Sequence, residues 1–218
     1  MTTLVQLYNQ ALSEVGASTT VSAADELSRE AELCNLWFET ARDSVLGAAP
    51  WPSAIAYARL ALTQERDFAE PWVGADPTPQ FRFRYAVPAN LLKPYHLQSF
   101  ARFEFIDRAI SCHEETPILY YISRQTDLSR WSTDLVLAVM YRLAAHLAMP
   151  YTGKQDMANQ ALQKSLVLSD EVIASTANQQ NQRYDTVPDF IQVRGYGGNA
   201  PAQRFFYPFE YQNIEASR

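Results

Sequence analysis

The sequence predicts a mainly α protein: a four-helix bundle-like body, a small antiparallel β region inserted into it, and an extended C-terminal tail. Three observations predict it. Apolar residues recur at helical spacing near both ends of the first 178 residues, and strand-like alternation broken by prolines fills the middle. The last forty residues hold eight aromatics and three of the chain's seven glycines, in Gly195-Tyr196-Gly197-Gly198. The boundaries that follow are a helical body over 1–50 and 127–178, an inserted β region over 51–126, and a tail over 179–218.

Leu4, Leu7, Tyr8, Ala11, Leu12 and Val15 share one face of a helix over 3–15, closed by Gly16. Ser22 with Asp25 three residues on reads as a capping box. It opens a helix of about 25 residues, roughly 35–40 Å long, whose stripe is Leu27, Ala31, Cys34, Trp37, Phe38, Ala41 and Val45. Gly47 and the Pro50-Trp51-Pro52 turn stop it. From Trp51 the period falls to two, and Ser53–Leu62, Phe81–Tyr85, Arg102–Ser111 and Ile118–Arg124 read as strands. The Cys112–Pro117 turn joins the last two as a hairpin. Asp67–Gln80, with Pro71, Pro77 and Pro79, reads as a loop, and Lys93-Pro94-Tyr95-His96 as a loop or short helix. Helical spacing resumes over Ser129–Met149, apolar nearly all round and hence a buried central helix. Pro150 and Gly153 break it before a second long helix over 154–178.

The functional classes narrow by exclusion. With 47% hydrophobic residues the chain can bury a core. A net charge of −6 argues against a surface that grips nucleic acid by neutralising phosphates. The acid is concentrated: residues 17–50 hold six acids against two bases. Two cysteines, Cys34 and Cys112, offer no disulfide framework and no Cys-rich zinc site. The N-terminal stretch has no basic region and carries Glu14, and no run approaches the ~20 apolar residues of a membrane span, so a soluble, intracellular protein is expected.

Chemistry-bearing clusters are sparse. His113-Glu114-Glu115 reads as a solvated turn, His146 as a core histidine, and His96 has no companion. Gly153-Lys154 lacks the Gly-rich loop of a phosphate cradle, and no Ser sits in a G-x-S-x-G elbow. Phe81-Arg82-Phe83-Arg84-Tyr85 interleaves aromatics with arginines as single-strand binders do, but an amphipathic strand with one wet arginine face gives the same pattern. No catalytic residue, cofactor or metal site is expected, so the chain reads as a non-enzyme.

The layout resembles the tail tubular protein A group of short-tailed bacteriophages, the head-to-tail adaptors. The motifs that carry the resemblance are Leu7-Tyr8-Asn9-Gln10-Ala11-Leu12 with Val15-Gly16, then Glu32, Cys34, Trp37-Phe38, Ala41-Arg42-Asp43 and Leu46. They continue with Trp51-Pro52, Phe83-Arg84-Tyr85-Ala86-Val87-Pro88, an Asn90-Leu91-Leu92 turn, Tyr120-Tyr121-Ile122 with Thr126-Asp127, and Leu143-Ala144-Ala145-His146-Leu147-Ala148. The match spans about residues 3–178.

The resemblance implies a structural virion protein at the head–tail junction, assembled in the host cytoplasm. Twelve copies would form a ring between the portal protein and the tail nozzle. The implied partners are therefore the portal, the nozzle and the chain itself, with no membrane. Double-stranded DNA would pass through without specific binding, and the C-terminal segment would dock on the portal. Within that frame Tyr184, Phe190, Arg194, Phe205, Phe206 and Tyr207 are the expected docking anchors, because aromatic and arginine side chains dominate interface hot spots. Asp25, Glu26, Glu30 and Glu39, taken to lie on the most acidic helix, are the expected channel-lining acids, since an acidic wall repels phosphate. The rival class is a cellular helical interaction module that binds a partner through the aromatic tail.

Overall fold

A computed structural model describes residues 3–74 and 76–181. The chain runs α1 (Leu4–Glu14), α2 (Arg29–Ala48), β1 (Ile55–Arg59), β2 (Ala61–Glu65), β3 (Phe83–Ala86), β4 (Leu91–Leu97), β5 (Glu104–Ile106), β6 (Ala109–Cys112), β7 (Ile118–Ser123), α3 (Thr133–Thr152) and α4 (Gln155–Asn181). The expected mainly α bundle with a small β insertion does not hold. Four helices share the described chain with two antiparallel sheets, β1-β7-β4 and β2-β3-β6-β5, an α/β architecture.

The β content was under-read for physical reasons. Pro94 lies in β4, which is an edge strand where a missing N–H is tolerated, and the register shifts between Pro94 and His96. Arg102–Ser111 is not one strand. Asp107 and Arg108 both take φ of 53°, the paired left-handed geometry of a two-residue hairpin turn, so β5 folds straight back on β6. Neither residue is the Asn or Gly that usually announces that turn. The Cys112–Pro117 hairpin is also corrected. β6 pairs with β3 and β5 while β7 pairs with β1 and β4, so the chain there crosses from one sheet to the other. The two sheets share a core of Leu60, Phe83, Tyr85, Leu91, Leu97, Ile110, Cys112, Leu119 and Tyr121.

In the helical lobe, Thr3 and Gln6 form a reciprocal capping box on α1. α2 begins at Arg29, not near Ser22. Its cap is Ser28, whose hydroxyl accepts from the Ala31 N–H at 3.2 Å. Pro150 does not end α3, which continues to Thr152 and stops at Gly153 in the left-handed region, φ 64°. α3 is the central helix, with Leu135, Val139, Leu143 and Leu147 fully buried. Among the described residues it is also the helix long and apolar enough to cross a bilayer, yet these side chains are spent on the protein's own core. α4 packs through small residues: Ala158 and Ala161 are buried, and the Ser165 hydroxyl donates to the Ala138 carbonyl at 2.9 Å.

Trp51 joins the lobes. It is fully buried, its indole donates to the Val45 carbonyl at 2.8 Å, and it shares the helical core with Ala54 and with Ile122 of β7. Both the N–H and the hydroxyl of Ser123 donate to the Ala54 carbonyl, each at 2.8 Å.

Candidate functional site

The acid of residues 17–50 divides into four kinds once the fold is known. Asp25 and Glu26 are not on the acidic helix; they lie in the segment before it. That segment is tied down by Asn9, whose side chain bonds both the N–H and carbonyl of Val21, and by Asn35, which donates to the Ala24 carbonyl at 2.7 Å. The Glu26 carboxylate accepts from the Ser22 N–H at 2.7 Å and the Ala23 N–H at 3.3 Å. Hydrogen bonds from Ser28, Ser22 and Ala23 hold its pKa below the usual range. Asp25 is exposed.

Glu30 and Glu32 occupy the first turn of α2, where negative charge complements the helix dipole. Glu30 also accepts from the Thr19 hydroxyl at 2.9 Å. Asp43 is committed inward. One of its oxygens meets the buried Arg42 guanidinium at 2.9 Å and the other meets Arg124 at 2.9 Å, which ties α2 to the segment after β7. Glu39 is different: its side chain is 78% exposed and stands 3.9 Å from Arg42. Of the two bases on α2, Arg42 is buried and Arg29 is exposed in the first turn with its guanidinium 6.0 Å from the Tyr151 ring; Glu32 and Glu39 are exposed on the outer face and outnumber it. Glu32 was missed by sequence reasoning, although its spacing of seven from Glu39 puts both on one helical face.

The expected docking anchors Tyr184, Phe190, Arg194, Phe205, Phe206 and Tyr207 lie outside the described residues. Of the histidines, His113 is exposed at the β6–β7 crossing with its ring 5.1 Å from Phe81, and Tyr85 donates to the neighbouring Glu114 carbonyl. His96 sits on β4, stacked between Tyr120 and Phe100 at 4.8 and 4.7 Å. His146 stacks on Trp37 with centroids 4.8 Å apart and planes 2° from parallel, at a half-buried seam between α2 and α3 and not deep in the core. Burial, then the nearby Arg142 charge, lowers its pKa. Both cysteines are buried; desolvation raises the Cys34 thiol to about 12 and the Cys112 thiol in the same direction. Among the described residues no three His, Cys, Asp or Glu side chains converge as a metal site.

The arginines of Phe81–Tyr85 divide from the aromatics as an amphipathic strand requires. Phe81, Phe83 and Tyr85 are buried, while Arg82 pairs with Glu65 at 2.6 Å and Arg84 with Asp107 at 3.3 Å. Surfaces that sequence reasoning passed over are the β2–β3 loop, with Phe68, Trp72 and Val73 in solvent, and the outer face of the four-stranded sheet beside Arg84 and Arg108. A tryptophan inside Glu70-Pro71-Trp72-Val73, a stretch with turn residues and no strand period, was the available signal. No family model matches the chain, and no curated protein matches it.

Proposed function

We propose that this protein is a structural virion component, a head-to-tail adaptor forming a ring of about twelve copies between the portal and the tail nozzle of a short-tailed phage. The single observation that carries the reading is the ordered set of motifs from Leu7-Tyr8-Asn9-Gln10 through Trp51-Pro52 to Leu143–Ala148. Residues of those motifs hold the fold together, which gives a reason for their order. The Tyr8 hydroxyl donates to Asn35 at 2.8 Å, Trp51 joins the lobes, Asp43 bridges to Arg124, and His146 stacks on Trp37.

The acidic outer face of α2 supports the same reading. A duplex sliding past Glu32 and Glu39 meets one exposed base on that face, Arg29 in the first turn of α2, against the two acids, so it gains little of the salt-dependent affinity that several Lys and Arg contacts would supply. The expected portal contact through residues 179–218 completes the proposal.

Electron microscopy of the full chain mixed with portal rings from the same phage is the test. A twelve-fold collar beneath the portal is expected. Portal rings that stay bare at saturating protein overturn the reading and favour the interaction module. Glu32→Lys with Glu39→Lys is expected to make assembled rings retain duplex DNA at low salt, with retention falling steeply as salt rises.

A further inference from the structure

The loop between β2 and β3 is braced at several points among its described residues, 66–74 and 76–80. The Asp67 carboxylate accepts from the Ala69 N–H at 2.9 Å, and that of Asp76 accepts from the Val73 N–H at 2.9 Å. The Trp72 indole donates to the Pro77 carbonyl at 2.8 Å, and the Thr78 N–H donates to the Ser111 hydroxyl at 3.2 Å. Arg84 donates from the sheet to the Gly74 carbonyl at 3.3 Å. A loop held this way has already lost much of the conformational freedom that docking would otherwise remove. Phe68, Trp72 and Val73 nevertheless stand 56%, 48% and 57% exposed. Single exposed apolar residues are ordinary, but three on one ordered loop mark an interaction surface. The loop carries three acids, Asp67, Glu70 and Asp76, and one base, Arg66, which is occupied within the loop: its guanidinium lies over the Phe68 ring at 4.7 Å and donates to the Pro79 carbonyl.

A surface of opposite character lies on the same lobe. Strand register sets Ala61, Ala86, Ala109 and Ile106 opposite one another across β2, β3, β6 and β5. This row lies on the face away from the sandwich core, because the adjacent Tyr85 and Ile110 point into it. Ala86 and Ala109 floor a hollow of about 340 Å³ walled by Thr63, Gln64, Arg84 and Arg108. Arg108 is exposed at the β5–β6 turn, and among the described residues no acid lies within 4 Å of it.

We propose that the Phe68–Trp72–Val73 loop of one copy seats in the Arg84–Arg108 hollow of a second copy. The indole lies on the alanine floor, and Asp67 and Glu70 face Arg108. Loop and hollow adjoin, since Arg84 and Gln64 also hold Gly74 and Asp76 of the loop, but Phe68, Trp72 and Val73 do not line the hollow. The loop of one copy in the hollow of the next is therefore a heterologous contact, the kind that can close into a ring. The inference rests on the ring reading above and names the surfaces that would build the ring.

Full chains carrying single new cysteines test it. A Val73→Cys chain mixed with a Thr63→Cys chain under mild oxidation is expected to give a disulfide-linked dimer well above the yield of Val73→Cys with Gln155→Cys. Cys34 and Cys112 are buried, so the introduced thiols dominate the reaction. Adding Glu70→Arg to the first chain, or Arg108→Glu to the second, should each lower the yield about fivefold, the upper range for an exposed ion pair, and the two together should restore it. Trp72→Ala on the first chain should lower it further, with far-UV circular dichroism confirming that the chain is folded. Equal yields for the Thr63 and Gln155 partners overturn the proposal, as does a charge swap without rescue. A Trp72→Ala chain that still forms wild-type collars on portal rings also overturns it and leaves the adaptor reading standing. Wild-type chains that never form collars overturn the adaptor reading instead.

Discussion

The helical lobe and the β lobe expose different kinds of apolar side chain. α1, α2 and α3 enclose a continuous core in which Leu7, Leu46, Leu135, Leu143 and Leu147 are fully buried. The sheets enclose a smaller core of nine buried residues and leave Tyr57, Leu62, Phe68, Trp72, Val73, Phe100, Phe105 and Ile106 in solvent, while the helical lobe leaves Leu27, Leu36, Met149, Leu166, Val167 and Ile173 there. Short strands with one face each on a thin sandwich cannot bury every large side chain they carry. Both lobes therefore expose apolar surface, aliphatic on the helices and largely aromatic on the β lobe, and Trp51 and Asp43 are the fasteners between them.

The fasteners offer the largest way to break that joint. Trp51→Ala should cost about 4 kcal/mol, since it empties a fully buried site and strips a donor from the Val45 carbonyl. Urea unfolding read by circular dichroism measures it, and a loss under about 1 kcal/mol would mean that the indole does not join the lobes. Asp43→Ala should cost about 3 kcal/mol, because Arg42 would stay buried with Glu39 at 3.9 Å as its nearest acid. Arg124→Ala removes the exposed half of the same bridge and should cost under about 1 kcal/mol. Equal losses for these two would show that the clamp, and not the buried charge, sets the cost.

Ser132→Ala probes the start of the central helix. It removes the oxygen that accepts from the Leu135 N–H at 3.3 Å, and about 1 kcal/mol should be lost in the same unfolding assay. The smallest expected effect is a pH dependence confined to the helical seam. Burial and then the Arg142 charge lower the His146 pKa, so the folded protein favours the neutral ring and the unfolded chain takes a proton more readily. The contribution of His146 is therefore full above about pH 6.5 and is lost as pH falls through the unfolded and then the folded value. His146→Gln should flatten the change in unfolding midpoint between pH 7.5 and 5.5 relative to wild type, and an unchanged slope would show that His146 does not carry it.

How much was legible depended on whether local signals were reinforced by periodicity. Leu4–Val15 and Leu135–Leu147 repeat their apolar spacing over several turns, and α1 and α3 were found within a few residues. The start of α2 was not, because Ser22, Asp25 and Ser28 all look like caps; Asn9 and Asn35 hold residues 21–24 in a non-helical path that no local pattern encodes. β4 was read as turn and loop because Pro94 is a breaker everywhere except on an edge, and a sheet edge is defined by which strands lie beside it. The candidate site was the least legible part. Glu39 was named on its exposed face, Asp25 and Glu26 were placed on a helix they precede, and Trp72 was passed over as part of a loop.

By itself the sequence determined what short-range physics can determine: the helical segments, the alternation of Phe81–Tyr85 into buried rings and paired arginines, and the concentration of acid over 17–50. Tertiary structure decided which of those features are free to act. It buried Arg42 and spent Asp43 on it, turned Glu26 into a cap, split 102–111 into two strands at Asp107-Arg108, and left Glu32, Glu39 and the Trp72 loop facing solvent. The reason is that exposure and strand pairing belong to residues far apart in the chain. Arg42 meets Arg124 through Asp43, and Ala61 meets Ile106 across a sheet, only after the chain has folded.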